Sequence, residues 1–384
     1  MKTSIISIVI CLFLLITLIN PMTVAIDNVK KSTIPISSGN ILYVGGSGSG
    51  NYTRIQDAIN DAVDGDTVFV FNGTYFENVE INKSIKLIGE NRNITIIDGN
   101  NIDDVVVINA DFVDFSNFTL KNCGNNNFDV GIEILSDYNG IYNNSINNNS
   151  GDKLVSGGIF INSSSYNNIQ SNTLYDNKYD GITLIKSDFN RIHHNKIFNN
   201  KRLGITITNS SNNTIENNEI YENYCGICLY PNSTHNMIKM NHVYNHPCCG
   251  IALKQFSNYN KIQYNLIIDN LGHGIMLGPG PVSRNTVEMN TISGCLISLT
   301  SPNGAIVLQN AFLNTIKKNN IFDNLINVNL NSSFGNKWLN NYWDNYLGFG
   351  PKVIIGWVYL PMKLNLIIPW LNFDWHPANK PYDT

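Results

Sequence analysis

Apolar and polar positions alternate along the central part of this chain in a phrase that returns at a nearly fixed interval. Residues 213–220 read NTIENNEI, and residues 226–229 close the phrase as GICL. The Gly-Ile element returns in steps of 23, 23, 22, 24 and 24 residues. Its glycines are Gly158, Gly181, Gly204, Gly226, Gly250 and Gly274. A fixed period in this range indicates a solenoid, in which each repeat buries its apolar face only against its neighbours.

The apolar clusters within each repeat are too short for helices and are interrupted by Asn and Gly. Each repeat is therefore predicted to be one coil of a parallel β-helix, built from three short strands. We expect a single all-β solenoid of roughly ten to twelve coils, with a rise of about 4.8 Å per coil. Equivalent positions in successive coils then stack in columns, so the sequence can be interpreted column by column.

The ends of the chain differ from the repeats. The predicted segments are a signal peptide at 1–25, a flexible leader at 26–40, an N-terminal cap with irregular first coils at 41–130, regular repeats at 131–330 and a capping tail at 331–384. A short amphipathic helix over residues 54–63 is predicted to cover the first coil, because Ile55, Ala58, Ile59 and Ala62 fall on one face. All five tryptophans lie beyond Leu330, which predicts a Trp-rich C-terminal cap; an aromatic binding site is the alternative.

The first residues have the pattern of an export signal. Lys2 precedes an apolar run over residues 5–19, and residues 23–25 (TVA) offer a small-residue cleavage site. The run is shorter than the roughly 20 residues that span a bilayer, so cleavage is favoured over an uncleaved anchor. We therefore expect a secreted or cell-surface monomer with no membrane span after cleavage.

Asparagines form the most regular column. Its members are Asn144, Asn172, Asn195, Asn218, Asn241, Asn265, Asn290 and Asn319. Asn at a bend tolerates left-handed backbone, and its amide can bond to the next Asn in the stack.

The Ile column that includes Ile182, Ile205 and Ile227 should fill the interior. The column His193, Glu216, Lys239, Gln263, Glu288 and Lys317 should point outward and be solvated.

A further column is aromatic and consists of Tyr175, Phe198, Tyr221 and Tyr244. Stacked rings stabilise neighbouring strands, which gives this column a purely structural interpretation. Rings that face solvent would instead form a flat platform for sugar rings. The four residues are therefore a candidate carbohydrate-binding stripe.

Composition and charge exclude some function classes. Charged residues make up only 14% of the chain and the net charge is −4. No basic block or stripe suggests a nucleic-acid partner.

Glycosidases and polysaccharide lyases need convergent carboxylates, and lyases also need an acid-rich calcium site. The column Asp176, Asn199, Glu222, Asn245 and Asp269 never places two acids on adjacent coils, so the columns predict no acid cluster of that kind, although loops can also supply acids.

Cysteine and histidine concentrate in one part of the repeats. Cys225, Cys249 and His273 each occupy the position before a repeat glycine, so they should lie on one edge of three successive coils. His246 replaces an Asn in a neighbouring column, and His242 lies close in sequence. Thiolate and imidazole suit copper or zinc. A disulfide between Cys225 and Cys249, or inert thiols, are the alternatives to a metal site.

Several motifs resemble those of the right-handed parallel β-helix repeat proteins, in particular the NosD-like group of the pectin-lyase-like superfamily. Residues 43–48 (YVGGSG) and 72–78 (NGTYFEN) are similar to the N-terminal cap and first coil of that group. Residues 340–343 (NNYW) and 369–377 (PWLNFDWHP) resemble the tails of its archaeal members. The resemblance implies a right-handed β-helix over nearly the whole mature chain.

The sequence and the family resemblance specify the function less closely than the fold. The resemblance implies either a role in copper handling, as in NosD-like factors that mature the copper sites of nitrous oxide reductase, or polysaccharide chemistry, as in pectate lyases and polygalacturonases. Fold alone does not select among these. The preferred hypothesis is non-catalytic binding of carbohydrate or another envelope component. A polysaccharide lyase or glycoside hydrolase and a copper-handling factor are the alternatives.

Overall fold

The computed structural model describes residues 39–126, 128–151, 156–296, 304–360 and 366–383. These residues form a right-handed parallel β-solenoid of about 13 turns with one helix, which confirms the predicted fold class. The count exceeds the roughly ten to twelve coils expected from the sequence. The predicted signal peptide and nearly all of the predicted leader lie outside the described residues.

Each coil contributes one strand to each of three faces. The face that carries the Gly-Ile element is called face 1. Its strands are Val79–Ile81, Val106–Ile108, Val130–Ile134, Gly157–Asn162, Asp180–Ile185, Leu203–Thr208, Cys225–Leu229, Cys249–Leu253, His273–Leu277, Gly304–Gln309, Val328–Asn331 and Lys352–Leu360.

Face 2 follows face 1 along each coil, and face 3 follows face 2. The strands of face 2 are Ile41–Val44, Thr67–Val70, Lys86–Gly89, Asp114–Ser116, Gly140–Tyr142, Asn168–Gln170, Arg191–His193, Thr214–Glu216, Met237–Lys239, Lys261–Gln263, Thr286–Glu288, Thr315–Lys317, Lys337–Leu339 and Leu366–Asp374. The strands of face 3 are Gly73–Phe76, Thr95–Asp98, Thr119–Lys121, Ser145–Asn147, Thr173–Tyr175, Lys196–Phe198, Glu219–Tyr221, His242–Tyr244, Leu266–Ile268, Thr291–Ser293, Asn320–Phe322 and Tyr342–Trp343. A small additional pair joins Val282–Ser283 to Ala311–Phe312.

The strands pair in parallel with the register that the sequence columns predict. On face 1, Ile182 pairs with Ile205, and Ile205 pairs with Ile227. All three side chains are fully buried. The strand period of two residues sends alternate side chains to the interior, so each coil adds the same apolar layer. The core is therefore one continuous stack that runs along the solenoid.

Asparagine ladders connect the coils at the bends between faces. The backbone N–H of Asn172 donates to Oδ1 of Asn195 at 2.9 Å, and Nδ2 of Asn195 donates back to the carbonyl of Ile169 at 2.8 Å. The same pattern continues to Asn319 and Asn341. The left-handed residue is the one before each ladder Asn, for example Ser171. The prediction of the ladder bonds is thus correct, but the left-handed position was assigned one residue too late.

Two members of the predicted outward column, Glu216 and His193, are not solvated, whereas the other four are partly exposed. Glu216 is 6% exposed, because side chains from the neighbouring coils cover it. Arg191 lies 2.6 Å and Lys239 lies 2.9 Å from its carboxylate oxygens. His193 is also buried. The prediction was wrong here because a coil spacing of about 4.8 Å lets long side chains fold over a shorter neighbour.

The N-terminal helix is shorter than predicted and spans Ile55–Asp61. Ile55, Ala58 and Ile59 are buried against the first coils. No side chain of the helix caps its start, and the carboxylate of Glu77 accepts the N–H groups of Ile55 and Gln56 instead, at 2.9 and 3.1 Å. This contact from a neighbouring coil satisfies donors that a helix start leaves without partners.

The C-terminal part continues the solenoid before it changes direction. Trp338 and Trp343 are buried in the last coils. The strands Lys352–Leu360 and Leu366–Asp374 then form an antiparallel hairpin. The hairpin leaves Trp357 and Trp370 about half exposed. A Trp-rich cap over the last coil therefore stays a prediction.

Candidate functional site

Face 1 carries a second apolar cluster on its outer side, separate from the main core. Ile227 and Leu229 point into the main core, whereas Cys228 between them belongs to the outer cluster. The cluster consists of Leu203, Cys225, Cys228, Cys249, Ala252, Met276 and Val307, with Tyr230 and Cys248 packed against it. Three members of this cluster, and one residue packed on it, carry thiols.

These four thiols, Cys225, Cys228, Cys248 and Cys249, come from two adjacent coils. Cys225 and Cys249 are paired residues of neighbouring strands. The sulfur atoms of Cys225, Cys248 and Cys249 all lie within 4.8 Å of one another. Cys228 belongs to the same outer cluster as Cys225 and Cys249. The six described cysteines are free thiols, and Cys248 is the partly exposed member of this group. We call these four residues the thiol cluster.

The predicted histidines separate into one that lies at the thiol cluster and two that do not. His273 pairs with Cys249 on face 1 and is 4% exposed, and among the described residues its Nδ1 has no hydrogen-bond partner. His246 is fully buried in an asparagine ladder, where Nδ1 lies 2.8 Å from the Asn223 carbonyl and Nε2 lies 3.2 Å from the Ile220 carbonyl. His242 lies on face 3. The structure therefore brings together Cys225, Cys249 and His273, but not His242 or His246.

The electrostatics of the thiol cluster favour a thiolate at its exposed side. Interactions with Cys225 and Cys249 hold the pKa of the Cys248 thiol well below its ordinary value, and the charge of Lys254 acts in the same direction. Burial alone would lower the pKa of Lys254, but the neighbouring Cys228 raises it. A cation beside several thiols stabilises their deprotonated, metal-binding form.

Sequence reasoning missed Cys228 as a member of the cluster. The signal was present as the Cys-x-x-Cys spacing of Cys225 and Cys228. A regular strand would place residues three apart on opposite sides. Both thiols nevertheless belong to the outer cluster, with Gly226 and Ile227 between them. The Cys-x-x-Cys spacing alone therefore did not identify Cys228 as part of the site.

The predicted aromatic stripe stacks along the solenoid. Tyr175, Phe198, Tyr221 and Tyr244 have successive centroid distances of 5.1, 4.9 and 4.9 Å, with interplanar angles of 3°, 1° and 10°. The ring faces therefore cover one another, and the ring edges are left to face outward. This geometry does not make the flat platform that the sequence suggested. Binding of carbohydrate at these four residues stays a prediction.

A second aromatic stack was not found from the sequence. It consists of Phe112, Tyr138, Tyr166 and Phe189, with centroid distances of 5.2, 4.9 and 5.1 Å. The last three of these residues precede Asn139, Asn167 and Asn190, and all four have positive φ. The sequence signal was an aromatic residue immediately before a ladder Asn. The edge-outward arrangement is again typical of structural stacking.

The expected absence of an acid cluster was wrong. Carboxylate oxygens of Asp103, Asp104 and Asp129 lie within 4.8 Å of one another in the irregular early coils. Burial raises the pKa of Asp104 to about 8. The column argument missed this group because loops, rather than strands of the regular repeat, bring the three residues together.

Comparisons with known proteins agree with this architecture. Residues 85–241 match the family model of the right handed beta helix region, and residues 196–348 match that of the periplasmic copper-binding protein NosD. No curated protein sequence matches the chain. Among the described residues, no helix is long and apolar enough to cross a membrane.

Solved structures with this fold act in different contexts. The Dettilon tailspike protein is 16% identical, with a TM-score of 0.62 over 82% of this chain and 73% of the tailspike. The A-module of the Azotobacter vinelandii mannuronan C-5 epimerase AlgE4 is 15% identical, with a TM-score of 0.54 over 78% and 87% of the two chains. DFA-IIIase from Arthrobacter chlorophenolicus, without its lid, is 14% identical, with a TM-score of 0.57 over 79% and 94%. At these identities the likeness concerns the fold.

Proposed function

We propose that this chain, a NosD-like member of the right-handed parallel β-helix repeat proteins, binds one copper(I) ion at the thiol cluster. The observation that carries the proposal is the group of three sulfur atoms within 4.8 Å of one another, one of which belongs to Cys249, the strand partner of buried His273. Among the described residues, Nδ1 of His273 has no hydrogen-bond partner. A buried polar atom without a partner is costly unless a ligand satisfies it. The matched NosD region, residues 196–348, contains all four thiols and His273.

The donor set suits a soft metal. Thiolates select copper(I) and zinc over hard cations. Metal–sulfur bonds of about 2.3 Å in a tetrahedral site separate the sulfurs by about 3.8 Å. The thiols of Cys225, Cys248 and Cys249 reach that separation by small side-chain rotations, because all three already lie within 4.8 Å. The description of the matched model as a periplasmic copper-binding protein favours copper and an exported location.

Competition with a chromophoric copper(I) chelator under anaerobic, reducing conditions tests the proposal. The wild-type protein should retain about one copper per chain, and the double variant Cys225→Ser/Cys249→Ser should weaken binding at least 100-fold, as expected when thiolate ligands are lost. Cys295→Ser is the matched control, because Cys295 is also buried but lies outside the cluster. Equal copper retention by all three proteins would contradict the proposal, as would zinc displacing copper at equal concentration.

Histidine variants separate this site from the set predicted by sequence. His273→Gln should weaken copper binding, because it removes the imidazole next to Cys249. His246→Asn should leave binding unchanged, because both ring nitrogens of His246 face backbone carbonyls. If His246→Asn weakened copper binding and His273→Gln did not, His246 would be the ligand, and the assignment of His273 to the site would be rejected.

Carbohydrate binding is the second candidate function. It is favoured by the open outer surface of face 1, where a pocket of about 300 Å³ combines threonine hydroxyls with an aromatic side chain. Two proteins of similar fold are named for action on mannuronan and DFA-III. A glycan array probed with the purified chain tests this function, and the absence of any bound glycan would reject it.

A further inference from the structure

The C-terminal hairpin carries an exposed apolar surface that neither candidate function uses. In the antiparallel strands Lys352–Leu360 and Leu366–Asp374, directly paired residues share one side of the sheet. On one side, Ile354 is 4% exposed and belongs to the main core, and Gly356 pairs with Leu330 of the preceding face 1 strand. On the opposite side the large apolar residues are between 45% and 56% exposed. They are Val353, Ile355, Trp357, Ile367 and Leu371.

The loop directly before the hairpin extends this surface. Leu347 is 82% and Phe349 is 77% exposed, the largest fractions among the large apolar residues that the structure describes. Gly348 and Gly350, on either side of Phe349, have positive φ of 85° and 66°. Leu347, Phe349 and Val353 line one pocket of about 280 Å³, so the loop and the hairpin form a continuous surface. We call these two loop residues and the five hairpin residues above the apolar patch.

The charge of this segment favours an anionic partner. Residues 345–373 contain Lys352 and Lys363 and no Asp or Glu, although the net charge of the whole chain is −4. The two flanking carboxylates are engaged by the solenoid. Asp344 accepts two hydrogen bonds from residues of the preceding coil, and Asp374 is fully buried. The apolar patch is therefore complementary to a surface that combines apolar groups with negative charge.

A pocket of about 300 Å³ continues the apolar patch toward the preceding coil. Its lining includes the apolar side chains of Leu325, Ile326 and Trp343 and the cation of Lys352. Nζ of Lys352 donates to the two carbonyl oxygens of Asn345 at 3.2 and 2.6 Å, and both of these acceptors are neutral. An apolar pocket with one cation suits an acyl chain and the negatively charged group that carries it.

The exposed side chains are arranged for a fluid layer rather than for a rigid protein surface. Trp357 is 50% and Trp375 is 61% exposed, and Trp375 lies 5.1 Å from Phe373, the strand partner of Val353. Tryptophan is enriched where the acyl layer meets the lipid headgroups. The core of a protein interface is packed as densely as a protein interior. Phe349 projects singly from its loop, and such a side chain can enter a fluid apolar layer without a complementary surface.

We propose that the apolar patch docks this chain on the surface of a lipid bilayer that contains anionic lipids. The apolar side chains enter the boundary between headgroups and acyl chains, and the Lys352 ammonium pairs with a headgroup phosphate. The chain lies on one leaflet with its C-terminal end. This interaction goes beyond copper and carbohydrate binding and depends on neither of them.

Flotation of the purified chain with vesicles of phosphatidylcholine, and with vesicles that also contain phosphatidylglycerol, tests the proposal. The chain should float with both kinds of vesicle and bind the anionic ones about fivefold more tightly or better, and added salt should reduce this preference. Absence of binding to either kind would overturn the docking. Equal binding to both at low salt would overturn the preference for anionic lipids.

Variants at exposed positions locate the docking surface. Leu347→Ser/Phe349→Ser should fold, because both side chains are exposed, and should weaken vesicle binding about tenfold or more. Phe256→Ser/Leu271→Ser is the matched control, because it removes an exposed Phe and an exposed Leu outside the apolar patch. The control should bind as the wild type does, and equal losses in the two double variants would overturn the assignment. Lys352→Gln should remove most of the preference for anionic vesicles.

A second copy of this chain is the other occupant that the experiments must separate. Light scattering without vesicles should show a monomer. A dimer that Leu347→Ser/Phe349→Ser disrupts, together with failure to float, would assign the apolar patch to an interface between copies and overturn the proposal. The same variant should retain copper, and Cys225→Ser/Cys249→Ser should float as the wild type does. A loss in either measurement would contradict an independent docking surface.

Discussion

His246 gives the sharpest test of the ladder structure. It occupies an asparagine position in one ladder and is fully buried. Burial lowers its pKa from 6.5 to about 4, although the carbonyls of Asn223 and Ile220 raise it in part. The folded protein therefore resists protonation of this ring more than the unfolded chain does. Stability that is present above pH 6.5 should be lost as pH falls toward 4.

The magnitude follows from the two pKa values. The difference between 6.5 in the unfolded chain and about 4 in the folded chain corresponds to about 3 kcal/mol. His246→Asn removes the titrating ring and restores the ladder amide, so the variant should lack this loss. We expect the stability of the wild type relative to the variant to fall by about 3 kcal/mol between pH 7 and pH 4.

Urea unfolding of both proteins at several pH values measures this difference. His235→Asn is the control, because His235 is exposed and stacks on Tyr259 at the surface. The control should follow the wild-type pH dependence. Stability curves of the wild type and His246→Asn that run parallel from pH 7 to pH 4 would refute the assignment of a buried, neutral imidazole.

Two further predictions concern the packing of the core and the C-terminal end of the asparagine ladder that runs from Asn144 to Asn341. Ile205→Asp should destabilise the protein by about 4 kcal/mol or more, since it buries an unpaired carboxylate. Glu216→Gln should cost only about 1 kcal/mol by weakening two partly exposed ion pairs, and equal melting temperatures would show that the columns are misregistered. Asp374→Ala should cost about 2–4 kcal/mol, because the N–H donors of Asn340, Asn341 and Trp343 lose their acceptor. An unchanged urea midpoint would contradict this role.

The repeat period allowed most of the fold to be predicted. Because strand pairing in a solenoid joins equivalent positions, steps of 22 to 24 residues were enough to establish which Ile contacts which Ile. The same argument correctly paired Cys225 with Cys249 and Cys249 with His273. It was weaker at the ends, where the spacing is irregular and pairing depends on turns that have no repeated motif.

The candidate site was only partly predictable, because columns give position along a strand but not side-chain direction at bends. His246 shares a column with asparagines, and its inward direction follows from the ladder geometry rather than from its chemistry. Cys228 points outward between the inward Ile227 and Leu229, as strand alternation predicts, whereas Cys225 belongs to the same outer cluster although alternation would send it to the opposite side. Glu216 occupies an outward position, but its burial depends on the lengths of Arg191 and Lys239 on adjacent coils.

The asparagine ladder that runs from Asn144 to Asn341 has an electrostatic polarity along the solenoid. Every amide oxygen in it accepts from the preceding coil, and one N–H of every Nδ2 donates to the acceptor on the next coil, so these side-chain dipoles align and reinforce one another. The positive end of this array lies at Asn341, where the carboxylate of Asp374 accepts the last Nδ2–H at 3.0 Å. The opposite end begins at Asn144, whose oxygen accepts the N–H of Phe118. Duplication of a whole coil would lengthen the aligned array but leave both of its terminal partners unchanged.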